Sequence, residues 1–222
     1  MAGGHPLYVF AADQTSPTFP EIQKDGTYKC VLDGAADIDV KAKSERVEYT
    51  RLMDTDRIHD MLAERGSPVS DGVVIMGLYT APNKYLEAEI NVERYYDNKT
   101  GLTCLGYSDI EVNISIKPHI YLNRDYKHAR CRKEIKDHEE RHSKVHDEVL
   151  EKYAGIIEKN LHSLTGRIGA VGPVAESDVD RVMEKLEKVA ESTVYASLAP
   201  MDFEYNHKQA RVDSPAAIRR KQ

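Results

Sequence analysis

The spacing of the hydrophobic residues changes once along this chain of 222 residues, and that change limits the folds it can adopt. Before about residue 122, apolar and polar residues alternate over short runs, which is typical of strands with one buried face. From about Lys127 to about Leu164 the apolar residues recur every three or four positions, which indicates a long amphipathic helix. Strands followed by helices predict an α+β fold.

The clearest strand signals lie in the middle of the chain. Residues 86–93 and 110–117 both alternate strictly, and the turn-forming cluster at 97–101 between them favours a hairpin. Weaker or shorter strand signals occur at 28–32, 38–48, 73–79 and 120–122. We therefore expect an antiparallel sheet over about residues 28–122, with one face covered.

Glycines and a proline between residues 165 and 173 interrupt the helical pattern. A second helix is expected to begin near Ser177, a suitable capping residue, and to end at about Leu198, before Pro200. The chain from Met201 onward is expected to be irregular.

The chain length favours one hydrophobic core and hence one domain. Residues 1–27 contain Pro, Gly, Ser and Thr without a clear period, and predict an irregular N-terminal arm. We predict a single domain over residues 28–215 and a frayed tail at 216–222.

Composition excludes two classes of partner. Hydrophobic residues make up 41% of the chain, but no apolar run approaches the roughly 18 to 20 residues that a membrane span needs. The formal net charge is −6, and the basic residues are interleaved with acidic ones instead of forming a stripe. We therefore expect neither a membrane span nor nucleic-acid binding.

The segment His138-Glu-Glu-Arg-His142 has the H-E-x-x-H arrangement. Two histidines one helical turn apart can chelate one zinc ion, and the glutamate beside them, Glu139, can activate a water molecule. This pattern makes His138 and His142 candidate metal ligands and Glu139 a candidate general base.

The position of these residues around the helix supports that interpretation. At about 100° per residue, both histidines fall on the apolar face, together with Ile135 and Val149, and Glu139 falls at the edge of that face. Buried histidines need partners for their ring nitrogens, and zinc would satisfy both. The alternative is two core histidines bonded to carbonyl groups or acids.

A third histidine, His146, lies one further turn along the helix. Eight residues separate it from His138, which corresponds to about 12 Å. Both side chains cannot then reach one ion at about 2.1 Å, so His146 is excluded from the ligand set. It is expected to contact the ligands without binding the metal, to face the substrate, or to lie on the surface.

Two sources for the third ligand stay open. His207 lies in a polar C-terminal segment with no evident structural task, and we favour it slightly. Glu191 on the second predicted helix is the rival, because a later helix often supplies a glutamate to such sites. The glutamates of that helix also fit a simple solvated face.

The runs Pro118-His-Ile-Tyr121 and Cys131-Arg132, together with the H-E-x-x-H segment, resemble a family of predicted secreted, zinc-dependent proteases of Gram-negative bacteria. The likeness is strongest from about Leu102 to Leu150. It implies a small zincin-like peptidase with one zinc, a peptide or protein substrate, and His138, His142 and Glu139 in the roles given above. It also implies a precursor with a leader peptide and a periplasmic or secreted location.

The same resemblance implies a disulfide between Cys104 and Cys131, which would tie the sheet to the start of the long helix in an oxidising compartment. The alternative from the residues alone is that Cys131 is a reduced core thiol. Cys30 would be unpaired in the first case.

The expected function is therefore a zinc-dependent metallopeptidase with Glu139 as general base. Tyr205, Tyr195 or His146 are candidates for an additional hydrogen-bond donor in catalysis. Two alternatives stay open: a non-catalytic, zinc-stabilised binding or scaffold protein of the cell envelope, and a zinc amidase acting on cell-wall peptides.

Overall fold

A computed structural model describes residues 21–22, 28–31, 34–64, 75–81, 84–98, 100–124 and 129–214. The strands are β1 (Glu21–Ile22), β2 (Tyr28–Lys29), β3 (Asp37–Ser44), β4 (Glu48–Met53), β5 (Gly77–Thr80), β6 (Lys84–Asp97), β7 (Leu102–Ile116), β8 (His119–Asn123) and β9 (Val171–Ala175). The helices are α1 (Thr55–Glu64), α2 (Ala129–Ile168), α3 (Val179–Leu198) and α4 (Met201–Val212), with a 3-10 turn at Glu176–Asp178. The predicted α+β class is confirmed.

The larger sheet has the order β3-β7-β6, and β9 pairs with the first residues of β7. The predicted hairpin is present: β6 and β7 pair antiparallel along their whole length, and Gly101 in the turn between them has a φ of +70°. The smaller sheet has the order β4-β8-β5, with β5 antiparallel to β8.

Each of these two sheets contains both parallel and antiparallel strand pairs, so the expectation of an antiparallel sheet is wrong. Residues 37–53 run alongside residues 109–123 in the same direction, as β3 beside β7 and then as β4 beside β8. Alternation of apolar and polar residues reports which face of a strand is buried, and that signal is the same for either direction of pairing.

Helix α2 organises the core by packing across both sheets and against α3 and α4. Val149, Ile157 and Leu161 on its inner face are fully buried, and each contributes about 1.5 to 3 kcal/mol through burial of apolar surface. The helix ends at Ile168, four residues later than expected, and Gly169 follows with a φ of +54° as a left-handed stop.

The C-terminal part of the chain is helical to residue 212. Helix α3 matches the predicted second helix, but the expectation of an irregular chain after Met201 is wrong, because α4 occupies residues 201–212. Met201 and Val212 at its two ends are buried, so packing against the core holds a segment whose own apolar period is weak.

The structure pairs Cys30 with Cys104, at a Cα–Cα distance of 5.7 Å, and leaves Cys131 free. The predicted Cys104–Cys131 bond is therefore wrong. Cys104 lies near the start of β7, beside β9, and β9 follows the end of α2. Cys131 lies near the start of α2, so about 55 Å of helix separates it from that end of the sheet.

Parts of the predicted ends lie outside the described residues. Of the predicted arm, only Glu21 and Ile22 are described, and they pair with β2 as a two-stranded ladder. The predicted domain limits at 28 and 215 stay predictions, since residues 215–222 are also outside the described set. No helix within that set combines the length and the hydrophobicity needed to cross a membrane.

Candidate metal centre

Three side chains from two helices meet at one point. His138 and His142 lie one turn apart on α2, and Asp213 caps the C-terminal end of α4. The Nε2 atoms of the histidines are 3.2 Å apart, and the Asp213 Oδ1 atom lies 3.1 Å from His138 Nε2 and 3.0 Å from His142 Nε2. Among the described residues, this is the group of three that could hold a metal ion.

These distances fit a single small cation. Ligands at about 2.0 to 2.1 Å from a tetrahedral zinc ion are about 3.3 Å from one another. The three separations are within a few tenths of an ångström of that value, so the three atoms form nearly one face of such a tetrahedron. Two imidazole nitrogens and one carboxylate oxygen are also ligands that zinc prefers.

The group is open on one side. The side chain of His142 is buried, that of His138 is partly exposed, and 60% of the Asp213 side chain is accessible to solvent. Structural zinc sites are usually closed by four protein ligands, whereas catalytic sites keep a position for water or substrate. Three ligands with an exposed flank match the second arrangement.

Gln209 orients the ring of His142. Its amide nitrogen donates to the His142 carbonyl oxygen at 3.0 Å, so its amide oxygen is the atom that faces His142 Nδ1 and accepts a hydrogen bond from it. With the proton on Nδ1, the Nε2 lone pair points toward His138 and Asp213. Second partners of this kind are a common feature of metal-binding histidines.

His138 has a different environment. Arg141 donates from Nη2 to His138 Nδ1 at 2.8 Å. Arginine has no acceptor atom, so Nδ1 is unprotonated here and Nε2 of the neutral ring carries the proton that Asp213 accepts. Binding of a cation at Nε2 therefore requires the proton to leave that atom and the neutral ring to carry its proton on Nδ1, which would displace the Arg141 donor.

The charges within the group support one another. A hydrogen bond from His138, and a second from the protonated form of His142, hold the pKa of Asp213 well below its usual range. Burial of the His142 ring opposes its protonated form, but hydrogen bonds with Asp213 and Gln209 outweigh that effect and raise its pKa. A carboxylate that is ionised at neutral pH faces two imidazoles, which is the charge state that a divalent cation requires of an aspartate ligand.

Glu139 is buried beside the group, with 5% of its surface exposed. Burial raises the pKa of its carboxyl group, and the nearby histidines and a hydrogen bond from the backbone N–H of Tyr79 partly offset that rise. Strand β5 approaches very closely here: a Cβ atom on Gly77 would lie 2.7 Å from Glu139 Oε1. Glycine at this position lets the strand lie against the carboxylate.

His146 is buried and lies outside the three-residue group. Its Nδ1 atom is 3.0 Å from the Tyr79 hydroxyl, and its ring packs against Tyr205 at a centroid distance of 4.3 Å. Tyr79 also stacks on His142, with 15° between the ring planes. His146 is therefore not a surface residue, and it lies in an aromatic cluster with Tyr79 and Tyr205.

The structure places neither candidate for the third ligand in the three-residue group. His207 is exposed on α4 and Glu191 is exposed on α3, and neither belongs to the group, whereas Asp213 does. The signal that could have identified Asp213 is its spacing from Gln209: four residues apart on a helix, both face α2. That spacing has meaning only once residues 201–212 are known to be helical.

The two predicted tyrosines have separate positions. Tyr205 packs against the core beside His146, the histidine that follows His142 by one turn of α2. Tyr195 on α3 is 58% exposed. Neither belongs to the three-residue group.

Comparison of the chain with protein-family models, with curated proteins and with solved structures finds no match.

Proposed function

We propose that this protein is a zinc-dependent metallopeptidase that acts in the periplasm or outside the cell. The observation that carries the proposal is the geometry of one helical turn: His138 and His142 converge with Asp213 on an open site, and Glu139 between them is buried beside it. A buried glutamate next to two histidine ligands is the arrangement that metal-assisted hydrolysis uses. The Cys30–Cys104 disulfide is consistent with an oxidising compartment.

The ligand set supports zinc as the metal. Two histidines and one carboxylate also occur at non-haem iron sites of oxygenases. Glu139 favours hydrolysis, because a general base beside the metal has a direct task in activating water. Zinc when bound supplies a Lewis acid and lowers the pKa of a coordinated water towards 7.

Glu139 then carries the proton. Its carboxylate takes a proton from the attacking water and delivers it to the nitrogen of the leaving amine. The raised pKa of Glu139 suits both halves of this transfer, because it brings the affinity of the carboxylate for protons closer to neutral pH. The Tyr79 N–H holds the carboxylate in place between transfers.

A peptide substrate is supported by strand β5. Among the described residues β5 pairs only with β8, so its other edge carries no strand partner. Strand β5 lies against Glu139, since the backbone N–H of Tyr79 donates to its carboxylate and Gly77 packs closely on it. An extended peptide can add to a free strand edge through backbone hydrogen bonds.

Metal analysis combined with one variant tests the proposal. Protein purified without added metal is expected to hold one zinc per chain, and Glu139→Gln is expected to keep the zinc but lose hydrolysis of a peptide library by a factor of about 100 or more. Glu140→Gln is the matched control, because Glu140 faces away and bonds to Tyr49 on the smaller sheet. It is expected to keep activity.

The alternatives give other results. A zinc-stabilised scaffold protein would hold the metal and cut no peptide in either form. An amidase of cell-wall peptides would cut muropeptides and leave the peptide library intact. Equal activity of wild type and Glu139→Gln would exclude Glu139 as the general base, and iron in place of zinc would exclude the proposed metal.

A further inference from the structure

Arg141 brings a permanent positive charge next to the metal centre, and the proposed hydrolysis does not use it. Its Nη2 atom donates to Nδ1 of His138 at 2.8 Å, and Nε2 of the same ring belongs to the three-residue group. One imidazole ring therefore separates the guanidinium from the ligand atoms. A guanidinium has no acceptor atom, so Arg141 cannot itself be a metal ligand.

The guanidinium lacks a counter-ion within the residues that the structure describes. The ion pairs at this site join Asp213 to His138 and His142, and none of the described pairs includes Arg141. The Arg141 side chain is half-buried, and its Nε atom is buried without a hydrogen-bond partner. Arginines that leave the surface are usually paired, and a buried N–H without an acceptor lowers stability. An orphan donor of this kind in a native fold therefore points to a role in binding.

Metal binding increases the need for an anionic partner. A cation at Nε2 of His138 leaves the proton of the neutral ring on Nδ1, and a protonated Nδ1 cannot accept from Arg141. The two carboxylates of the site, those of Asp213 and Glu139, balance the charge of one divalent cation when both are ionised. The positive charge of Arg141 is then left without compensation.

Arg141 lies on the open side of the group. His138, to which it donates, has 22% of its side chain exposed, against 10% for His142. Glu139 is buried against β5 instead. At about 100° per residue, Arg141 and Glu139 are about 160° apart around α2, with both histidines between them. A substrate at the group therefore has the general base on one side and a cation on the other.

We propose that Arg141 binds a carboxylate of the substrate beside the scissile bond, and so selects peptides that are cut next to a negative charge. This inference rests on the proposed peptidase function. The planar N–H donors of arginine match the two oxygens of a carboxylate. The α-carboxylate at the end of a peptide is the expected partner, because it lies roughly 4 Å from the bond that releases the last residue. An Asp or Glu side chain offers the same chemistry.

Calorimetric titration of three peptides into zinc-loaded Glu139→Gln protein tests the proposal without turnover. The peptides are N-acetylated hexa-alanine with a free C-terminal carboxylate, the same peptide as its C-terminal amide, and the amide with glutamate at the fifth position. The free carboxylate is expected to bind at least roughly tenfold more tightly than the amide, since hydrogen bonds between charged groups are the stronger kind.

Addition of Arg141→Gln is expected to abolish that preference. Arg141→Lys is expected to restore it in part, because an ammonium keeps the charge but not the paired donors. Lys144→Gln is the matched control, since it removes the same charge from an exposed position on the same helix, and it is expected to keep the preference. Chelator competition and thermal unfolding establish that the Arg141→Gln protein holds zinc and folds.

Equal binding of the carboxylate and the amide, or a preference that survives Arg141→Gln, would overturn the proposal. An Arg141-dependent preference for the glutamate peptide would support it with a side chain as the source of the carboxylate. Failure of the two proposals is distinguishable. Peptide cleavage without any preference contradicts the role of Arg141 alone, whereas an Arg141-dependent preference in a wild-type protein that cuts no peptide contradicts the peptidase alone.

Discussion

At the scale of single residues, the orientation of His142 depends on a neighbour that is not itself a ligand. Gln209 accepts from Nδ1 of His142 and donates to the carbonyl oxygen of the same residue. Removal of the amide frees the ring to rotate and allows the wrong tautomer.

Gln209→Ala is therefore expected to weaken zinc binding by roughly 10- to 100-fold. Competition with a chromophoric chelator measures this change directly. Asn206→Ala, an exposed position on the same helix, is the control and is expected to bind zinc normally. Equal zinc affinity in the two variants would contradict the role given to Gln209.

His146 links folding to pH through its burial. Burial and, to a smaller extent, the charge of Lys84 lower its pKa from 6.5 to about 4, with Asp202 opposing the shift. The other groups that face it are the uncharged rings of Tyr79 and Tyr205. Between these two pKa values the unfolded chain binds a proton that the folded chain does not, so stability falls as pH decreases through that window.

The expected loss from this one residue is roughly 2 kcal/mol between pH 7 and pH 4.5. Urea unfolding of metal-free protein at both pH values measures it, and His146→Gln serves as the reference that cannot titrate. Wild type is expected to lose more stability than the variant over this interval. An equal loss of unfolding free energy in wild type and variant between the two pH values would show that His146 is not kept neutral by the fold.

At the scale of elements, the contact between β5 and α2 determines where Glu139 lies. Gly77 brings the strand so close that an added Cβ atom would be 2.7 Å from both Glu139 Oε1 and Ile135 Cγ2. Neither neighbour can move freely, because both are buried.

Gly77→Ala is expected to push β5 away from α2, to destabilise the fold by about 1 to 3 kcal/mol and to lower peptidase activity. Gly155→Ala is the matched control, since no atom lies within 4 Å of the Cβ position there and the residue is inside a helix. That variant is expected to be more stable than wild type by about 0.5 to 1 kcal/mol. Thermal unfolding and the peptide assay distinguish the two changes.

At the scale of the whole molecule, the disulfide joins positions 74 residues apart and closes a loop that contains most of both mixed sheets. Cross-linking so long a loop restricts the unfolded chain and stabilises the fold by about 2 to 4 kcal/mol.

Reduction, or the change Cys30→Ser, is expected to lower the free energy of unfolding by that amount. Cys131→Ser is the control, because its thiol is unpaired and half-buried. Thiol labelling of the unreduced, unfolded protein with mass mapping should find one reactive cysteine, Cys131. Labelling of Cys30 instead would support the predicted Cys104–Cys131 disulfide.

The sequence by itself determined features that depend on residues close together in the chain. The positions of His138, Glu139 and His142 follow from a motif within one turn and from the period of a long amphipathic helix, and both signals need only neighbouring residues. The hairpin of β6 and β7 and the existence of α3 follow in the same way.

What only the tertiary structure decided involves contacts between distant parts of the chain. Asp213 became the third member of the group because α4 packs back on α2, and α4 itself is held by burial of its two ends. Cys104 paired with Cys30 because a helix about 60 Å long carries its start away from β9. Strand direction, the disulfide partner and the third member of the group all depend on which surfaces meet. A periodic pattern reports that a surface is buried without identifying its partner.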